Sequence, residues 1–412
     1  MNNIEKLIKE LCPNGVEWKE LGDVCEVLRG KRLTKKELSE NGNYPVFHGG
    51  LIPLGHYDKF NRRANQTMVI NTGSVGEVVW SGVDFWSSDG TFVVETNKNI
   101  DDKFLYYFLK TREAFLKSQR REGGVPTIDR FVIEKIPIPI PPLPIQQEIV
   151  NILDKFTALE AELQAELEAR RKQYEYYREK LLTFSELENI VEGGVKPYKS
   201  GGYVEWKTLG EIGKFYGGLS GKNKDDFESA ERNAKYIAYM NIFSNIKVNT
   251  NVDTFVLVKE NEIQNKIIKG DILFTGSSET VDECGMSSVL TTEKNEDVYL
   301  NSFCFGLRLN DEYSTKILPD FSKFIFRSYA VRKQIIKTAS GVTRYNISKK
   351  RMEKVSIPIP PLTEQERIVS ILDKFEEMVN KSLPEEIEAR RKQYEYYREK
   401  LLTFGTAGFP TR

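Results

Sequence analysis

Glu168–Phe184 reads EARRKQYEYYREKLLTF, and Glu388–Phe404 repeats those seventeen residues without a change, 220 positions later. So long an identity establishes an internal duplication. Working upstream, Ile138–Leu143 (IPIPPL) recurs as Ile357–Leu362 at an offset of 219. Gln146, Ile149, Val150 and Ile152–Phe156 match Gln365, Ile368, Val369 and Ile371–Phe375 at that same offset, so the second copy holds one extra residue between these landmarks. A weaker repeat opens each half: Val16–Lys19 (VEWK) with Leu21-Gly22, against Val204–Lys207 with Leu209-Gly210. Tyr44–Glu95 has no visible counterpart in Tyr236–Leu309, so variable and constant blocks alternate.

The constant blocks have helical periodicity. Ile149, Ile152, Phe156, Leu159 and Leu163 step by 3 and 4. Leu167, Arg170, Tyr174, Tyr177, Leu181 and Phe184 then resume the alternation, which predicts a coiled-coil seam with a stutter at 163–167. At this seam Tyr174, Tyr177, Tyr394 and Tyr397 read as packing residues. Pro137, Pro139, Pro141, Pro142 and Pro144 exclude helix before the first copy and predict a stiff extended lead-in. In the second copy, Ser382-Leu383-Pro384-Glu385 reads as a capping box and predicts a break or kink near 382–384. Residues 185–203 (SELENIVEGGVKPYKSGGY) are too short to return the chain easily to a parallel helix, so an antiparallel pair with a globular block at each end is expected.

The variable blocks read as mixed α/β. Strands are expected at 68–71, 78–80 and 91–95 in the first, and at 236–242, 271–275, 288–291 and 304–309 in the second. Each then carries a late helix, at 101–119 and 318–337. The predicted fold is α+β: two mixed α/β blocks separated by two long antiparallel coiled-coil helices, related by a pseudo-two-fold duplication. The segments are 1–143, the first helix 144–184, a linker 185–203, the second block 204–362, the second helix 363–404 and a tail 405–412.

A constant helix needs only its apolar seam to fold, yet Arg171, Lys172, Glu175 and Glu179 return as Arg391, Lys392, Glu395 and Glu399. Undrifted duplication would also repeat the variable blocks, which it does not. These eight residues therefore read as two copies of one partner-docking surface.

Composition narrows the function classes. The 412 residues are 40% hydrophobic and 29% charged, with no net charge. No run approaches the ~18 apolar residues of a membrane span, and Met1–Glu10 is too charged for a signal-peptide core, so a cytoplasmic chain is expected. The four cysteines never reach CxxC spacing and read as reduced packing thiols, and with only His48 and His56 no histidine-based zinc site is expected. There is no GxxxxGK[ST] loop, no GxGxxG turn and no Asn/Asp-Pro-Pro-Tyr/Phe stretch, so neither ATP hydrolysis nor methyl transfer is expected of this chain. Pro319-Asp320 lacks a following Glu-x-Lys strand, and Thr275–Thr280 (TGSSET) reads as a polar turn.

Zero net charge hides segregation. Residues 193–354 hold 25 basic and 20 acidic side chains, whereas 136–192 hold 6 and 11. Basic clusters occupy equivalent places: Lys110, Arg112, Lys117, Arg120, Arg121 and Arg130 in the first half, with Thr127 after a glycine pair. The second half has Lys323, Arg327, Arg332, Lys333 and Lys337, then Thr343-Arg344-Tyr345-Asn346 and Lys349-Lys350-Arg351. Arg29, Lys31 and Arg32 form a further run at the first block's entrance, as Lys222 and Lys224 do in the second. Any one run alone reads as a solvated face. Their recurrence before each proline stretch points to DNA, with Arg344 and Asn346 suited to base edges and Lys349, Lys350 and Arg351 to phosphates. Two such patches far apart would read two half-sites across an unread gap, one duplex turn being ~34 Å.

Leu11–Lys19 (LCPNGVEWK), the proline stretches followed by Gln146 and Gln365, the two seventeen-residue repeats and Asp271–Gly285 (DILFTGSSETVDECG) resemble the specificity subunit of type I restriction–modification enzymes. The resemblance covers nearly the whole chain. It implies two target-recognition domains reading a split sequence in double-stranded DNA, with the helices as a ruler for the gap. It further implies two docked methyltransferase subunits that methylate adenine N6 from S-adenosylmethionine, and restriction subunits that use ATP and Mg. The chain itself would be a non-catalytic subunit binding no cofactor. Two other readings stay open: a specificity subunit without an active enzyme, and a coiled-coil scaffold whose blocks bind protein.

Overall fold

A computed structural model describes residues 2–121, 124–184, 190–191, 194–195, 203–293 and 296–404. Most of the linker 185–203 and all of the tail 405–412 lie outside the described residues. The chain divides into two compact units, Met1–Glu166 with Pro384–Arg412, and Leu167–Leu383. The repeated helices are therefore not a body of their own, because each unit holds half of each. That differs from the segmentation expected from the repeat alone.

In the first unit a four-stranded antiparallel sheet runs in the order Cys25–Arg29, Thr91–Thr96, Gln66–Ile70, Val78–Ser81. Strand alternation sorts its side chains onto two faces. Val69, Val78 and Val94 pack with Phe104, Leu105 and Phe108 of the helix Asp102–Thr111. Met68, Ile70, Val79 and Val93 pack on the other face with Phe47 and Phe85. A three-stranded sheet, Gly55–Tyr57, Tyr44–Phe47, Trp86–Ser87, pairs first antiparallel and then parallel.

The second unit repeats this plan with different residues. Its four-stranded antiparallel sheet is Gly213–Gly217, Cys304–Leu309, Ile272–Thr275, Ser287–Val289, and its three-stranded sheet is Phe255–Val256, Ala234–Ile237, Val298–Leu300, again antiparallel and then parallel. Ile272 and Phe274 face one core and Leu273 the other. The duplication thus extends through blocks whose sequences show no similarity.

Each proline stretch is a strand rather than a free extended lead-in. Pro137–Ile140 pairs antiparallel with Glu17–Glu20, and Ser356–Ile359 with Glu205–Thr208, which explains why the VEWK and IPIPPL repeats travel together. Both are two-stranded ribbons, where a proline's missing N–H faces away from the partner. Gln146 and Gln365, both fully buried, then clamp each unit in the same way. Gln146 Nε2 donates to the Asn99 and Pro141 carbonyls (2.9 and 2.7 Å) while its Oε1 accepts from Asp101 N (2.8 Å). Gln365 Nε2 donates to the Lys316 and Pro360 carbonyls (2.8 Å each) and accepts from Leu318 N (2.9 Å).

The first repeat helix spans Leu143–Leu182 without interruption. Its opening turns lie in the globular core, where Ile145, Ile149 and Leu153 are fully buried, so the two-helix seam begins later than the periodicity suggested. In the first unit Phe156 stacks on Tyr397 (5.5 Å) and lies 6.4 Å from Tyr394, while Arg391 pairs with Glu160 (3.1 Å). One helix number rises as the other falls, so these segments run antiparallel. In the second unit Phe375 meets Tyr177 (5.7 Å) and Tyr174 (6.4 Å), the equivalent contacts.

At the break or kink expected near 382–384 the helix does not stop, but its regular α geometry is interrupted. The second helix runs Leu362–Glu377, passes through a π-helical turn at Met378–Ser382 and continues as Leu383–Leu402. Leu383 N donates to Met378 O, so the extra residue of the second copy is taken up by one widened turn just before Pro384. That turn relieves the clash a proline ring makes with a regular preceding turn, and the capping box is not needed.

Other expectations shift locally. Residues 236–242 hold the end of a strand and the helix Tyr239–Ser244 rather than one long strand. The late helices are each broken, into Asp102–Thr111 and Glu113–Ser118, and into Pro319–Ile325 and Tyr329–Ile336. Ser277-Ser278, expected in a turn, form a strand paired with Tyr345-Asn346. Cys25, Cys284 and Cys304 are buried free thiols, and burial pushes the Cys25 and Cys304 thiols up to about 12.

Candidate nucleic-acid interface

Each unit presents a cleft where the four-stranded sheet's central strand ends. In the first, Gly30 lies so close to Ser88 O that a Cβ would sit 2.0 Å from it. Lys31 N donates to Ser87 O (2.9 Å), Leu33 N to Ser88 Oγ (3.2 Å) and Trp86 Nε1 to Lys31 O (2.8 Å). This fixes the entrance loop and leaves Arg29, Lys31 and Arg32 exposed, with no ion pair among the described residues. Arg29, Arg32, Lys35, His48, Thr72 and Asp89 line a cleft of about 470 Å³. Thr127 bridges Thr72, and Arg121 N donates to Thr127 O (2.8 Å), so the loop after the late helix borders the same cleft. Sequence reading had found these two loops separately; the fold brings them together.

The second cleft, about 350 Å³, is lined by Tyr239, Met240, Phe243, Ser277, Glu279, Phe303 and Arg344 among others. Ser277 lies just past the strand Ile272–Thr275 and pairs with Asn346, as Thr72 lies past Gln66–Ile70 and bridges Thr127. Thr343, Arg344 and Asn346 are exposed, and Tyr345 is half-buried. Lys349, Lys350 and Arg351 are exposed on the short helix Lys349–Met352, started by Ser348, whose side chain accepts from Arg351 N.

Several other members of the basic clusters are engaged within the protein. Lys323 is buried and paired with Asp373 (2.6 Å). Arg327 donates to the Ser287, Ile242 and Phe243 carbonyls (2.7, 2.9 and 3.0 Å), and burial lowers its guanidinium to about 10. Arg332 donates to the Gly285 and Asp282 carbonyls (2.6 and 2.8 Å). Two of the late helix's arginines thus tie down segments around the second cleft. Lys110 and Lys117 pair with Glu113 and Glu77 (2.6 Å each), and Lys222 is buried against Glu262, which it holds at about 2. Arg121 pairs with Asp129 and Arg130 with Glu134 (2.6 Å), while both remain exposed, as does Arg120.

On the repeated helices, Arg171, Lys172, Glu175, Arg391, Lys392, Glu395 and Glu399 are exposed. Glu179 is half-buried because its carboxylate accepts from Tyr329 N (3.0 Å), a contact internal to the second unit. Sequence reading missed Tyr176 and Tyr396, 59% and 60% exposed, each edge-on to its neighbouring tyrosine (5.3 Å) with a lysine ammonium over its ring. It also missed His48, Thr72, Asp89, Tyr239, Met240, Ser277, Glu279 and Phe303. Ser277 and Glu279 lie in the stretch Asp271–Gly285 that carries the resemblance, but read as a polar turn; the others carry no motif, and only the folded neighbourhood distinguishes them.

The profile of the type I restriction modification DNA specificity domain matches residues 13–169 and again 203–389. The chain belongs to this family. It is 32% identical over 425 residues to a Haemophilus influenzae protein assigned as a type I restriction enzyme specificity subunit, covering 98% of this chain and 99% of that one. It is 31% identical over 448 residues to the specificity subunit of an Escherichia coli type I restriction enzyme, covering 98% and 97%. Among solved structures, the type I S subunit from M. genitalium matches with a TM-score of 0.55 at 19% identity, covering 94% and 97% of the two chains. The two profile matches coincide with the two topologically equivalent units. Among the described residues of this specificity-family chain, no helix is long and apolar enough to cross a membrane, and no group of His, Cys, Asp and Glu has the arrangement of a metal site.

Proposed function

We infer that this chain is the DNA-recognition subunit of a cytoplasmic type I restriction–modification complex. The observation that carries the reading is the combination of one fold and one glutamine clamp used twice with two unlike clefts. A duplicated scaffold that keeps its topology and its buried clamp while its core and cleft residues differ suits recognition of two different half-sites. Arg29, Lys31, Arg32, Arg120, Arg121, Thr127 and Arg130 serve the first half-site. Thr343, Arg344, Tyr345, Asn346, Lys349, Lys350 and Arg351 serve the second.

The repeated helices set the gap and dock two methyltransferase subunits, one on each copy of the exposed face. Identical side chains on both copies, including Tyr176 and Tyr396, support two equal sites. Methyl transfer from S-adenosylmethionine, and ATP- and Mg-dependent translocation and cleavage, belong to partner subunits; this chain is non-catalytic. Methylome sequencing of cells expressing the chain with its cognate methyltransferase subunit tests the reading. A split motif with N6-methyladenine in both halves is expected. A stable complex without methylation would indicate a specificity subunit lacking an active enzyme, and no complex at all would favour the protein scaffold.

A further inference from the structure

Three large apolar side chains in this region are exposed: Met240 at 59%, Phe303 at 62% and, two residues before Arg344, Val342 at 89%. Met240 and Phe303 wall the second cleft. Arg344 is held between them and the sheet. Its Nε donates to Ser277 Oγ (3.1 Å), and its guanidinium carbon lies 5.9 Å from the Phe303 ring centroid. The hydrogen bond orients the guanidinium, and its two Nη groups have no protein acceptor among the described residues. A fork presented in this way matches the O6 and N7 acceptors of guanine.

The rest of the lining argues against phosphate. Glu279 is exposed with no ion pair among the described residues, and Glu283, which accepts from Thr280 Oγ1 (2.7 Å), lines the same wall. Two carboxylates beside one guanidinium repel a phosphodiester, but a carboxylate accepts from the N4 amino group of cytosine. Exposed aromatic and thioether groups suit the methyl group of thymine. Cations suited to phosphate stand next door: the strand Tyr345–Ile347 leads into Lys349–Met352, and Lys349 Nζ lies 5.6 Å from the ring centroid of Phe305, two residues beyond Phe303. Positioning and reading groups are thus segregated along one surface.

Resting on the DNA-recognition reading above, we propose that the cleft of Tyr239, Met240, Ser277, Glu279, Phe303 and Arg344 reads base edges of the second half-site in the major groove, with Arg344 on a guanine and Phe303 with Met240 on the methyl edge of the adjacent base pair. Met240, Glu279 and Phe303 are specificity determinants of that half-site, and Lys349, Lys350 and Arg351 hold the flanking backbone.

The test uses the full-length chain in complex with its methyltransferase subunit and a duplex library carrying two randomised segments at varied spacing. Wild type enriches a split motif. Arg344→Ala flattens one guanine preference in one half-site by about tenfold or more, and Phe303→Ala flattens the neighbouring position, while the other half-site and the salt dependence are retained. Arg344→Lys fails to restore the guanine preference, because an ammonium has no fork. Uniform weakening of all sequences by Arg344→Ala and Phe303→Ala, or an unchanged selection, overturns the proposal. Glu279→Gln keeps the test decisive if an arginine or aromatic variant unfolds. It shifts preference in the same half-site only, and an unchanged selection counts against the cleft. Absence of any split motif with wild type refutes the DNA-recognition reading itself, a different result from a wild-type motif that the variants leave alone.

Discussion

The two units share a topology and a buried clamp, and differ in the residues of their clefts. Both place the same strand order beneath the same ribbon and close it with a fully buried glutamine. Yet Arg29, Arg32 and Lys35 dominate the first cleft, while aromatic side chains, two carboxylates and a single arginine line the second. Buried polar clamps tolerate little change, because each lost partner leaves desolvated groups behind. Exposed cleft side chains such as Arg32, Met240, Glu279 and Phe303 carry no such burden. The fold separates what must stay constant from what can vary, and it does so twice in one chain.

The largest expected effect tests the constant part. Gln365→Ala leaves the Lys316 and Pro360 carbonyls and the Leu318 amide without their partner, and should destabilise the second unit by about 3–5 kcal/mol. Gln146→Ala should do the same to the first. Urea unfolding followed by hydrogen exchange reports each unit separately, and a large inequality between the variants would break the claim of an equivalent clamp.

The clefts should then respond differently. Arg344→Ala should relax discrimination by about 1–3 kcal/mol at one base pair. Arg32→Ala should instead weaken all duplexes alike and reduce the salt slope by ~0.9, the value for one phosphate contact. Binding titrations across ionic strength, with matched and altered half-sites, decide this. Sequence-selective loss from Arg32→Ala would erase the distinction between a cation-rich and an aromatic cleft.

The docking faces should behave as equals. Tyr176→Ala and Tyr396→Ala should each remove one methyltransferase subunit from the complex and the double variant both, read as mass by light scattering. Since both rings are more than half exposed, unfolding midpoints should stay unchanged. Unequal losses would show that the two helix copies have diverged in use.

The smallest effect is a pH dependence set by one ion pair of the second unit. Lys222 holds the Glu262 carboxyl at about 2, below the usual carboxylate value near 4.5. A depressed folded value contributes stability that is complete above the unfolded pKa and is lost as pH falls from about 4.5 toward 2. Lys222→Met should flatten that part of the pH–stability profile, whereas the first unit has no matching buried lysine at its entrance loop, where Lys31 is exposed.

Periodicity and repetition carried much of this architecture. The seventeen-residue identity located both helices, and the proline stretches located the ends of both blocks. What escaped was the equivalence of the variable blocks, because a sheet topology constrains only alternation: Val69 and Phe274 can serve equivalent cores without resembling one another. The irregularity before Pro384 was legible, but its form was not: a capping pattern suggested a new helix start, whereas the structure has a π-turn in a continuing helix. Among candidate site residues, Arg344 and the loop at Arg29–Arg32 were legible as members of basic runs. Lys323, Arg327, Arg332 and Lys222 carried the same charge signal but are turned inward onto carboxylates and carbonyls. Composition reports a charge and says nothing of what stands opposite it.

The π-turn at Met378–Ser382 has a consequence for how such a chain changes over generations. One residue added to a regular helix rotates everything beyond it by about 100° and advances it by ~1.5 Å. Downstream of the added residue, Ile387, Leu402 and Phe404 nevertheless face inward as Leu167, Leu182 and Phe184 do in the other copy. The widened turn has cancelled the rotation. Helix length can therefore drift one residue at a time without the outer face losing its azimuth.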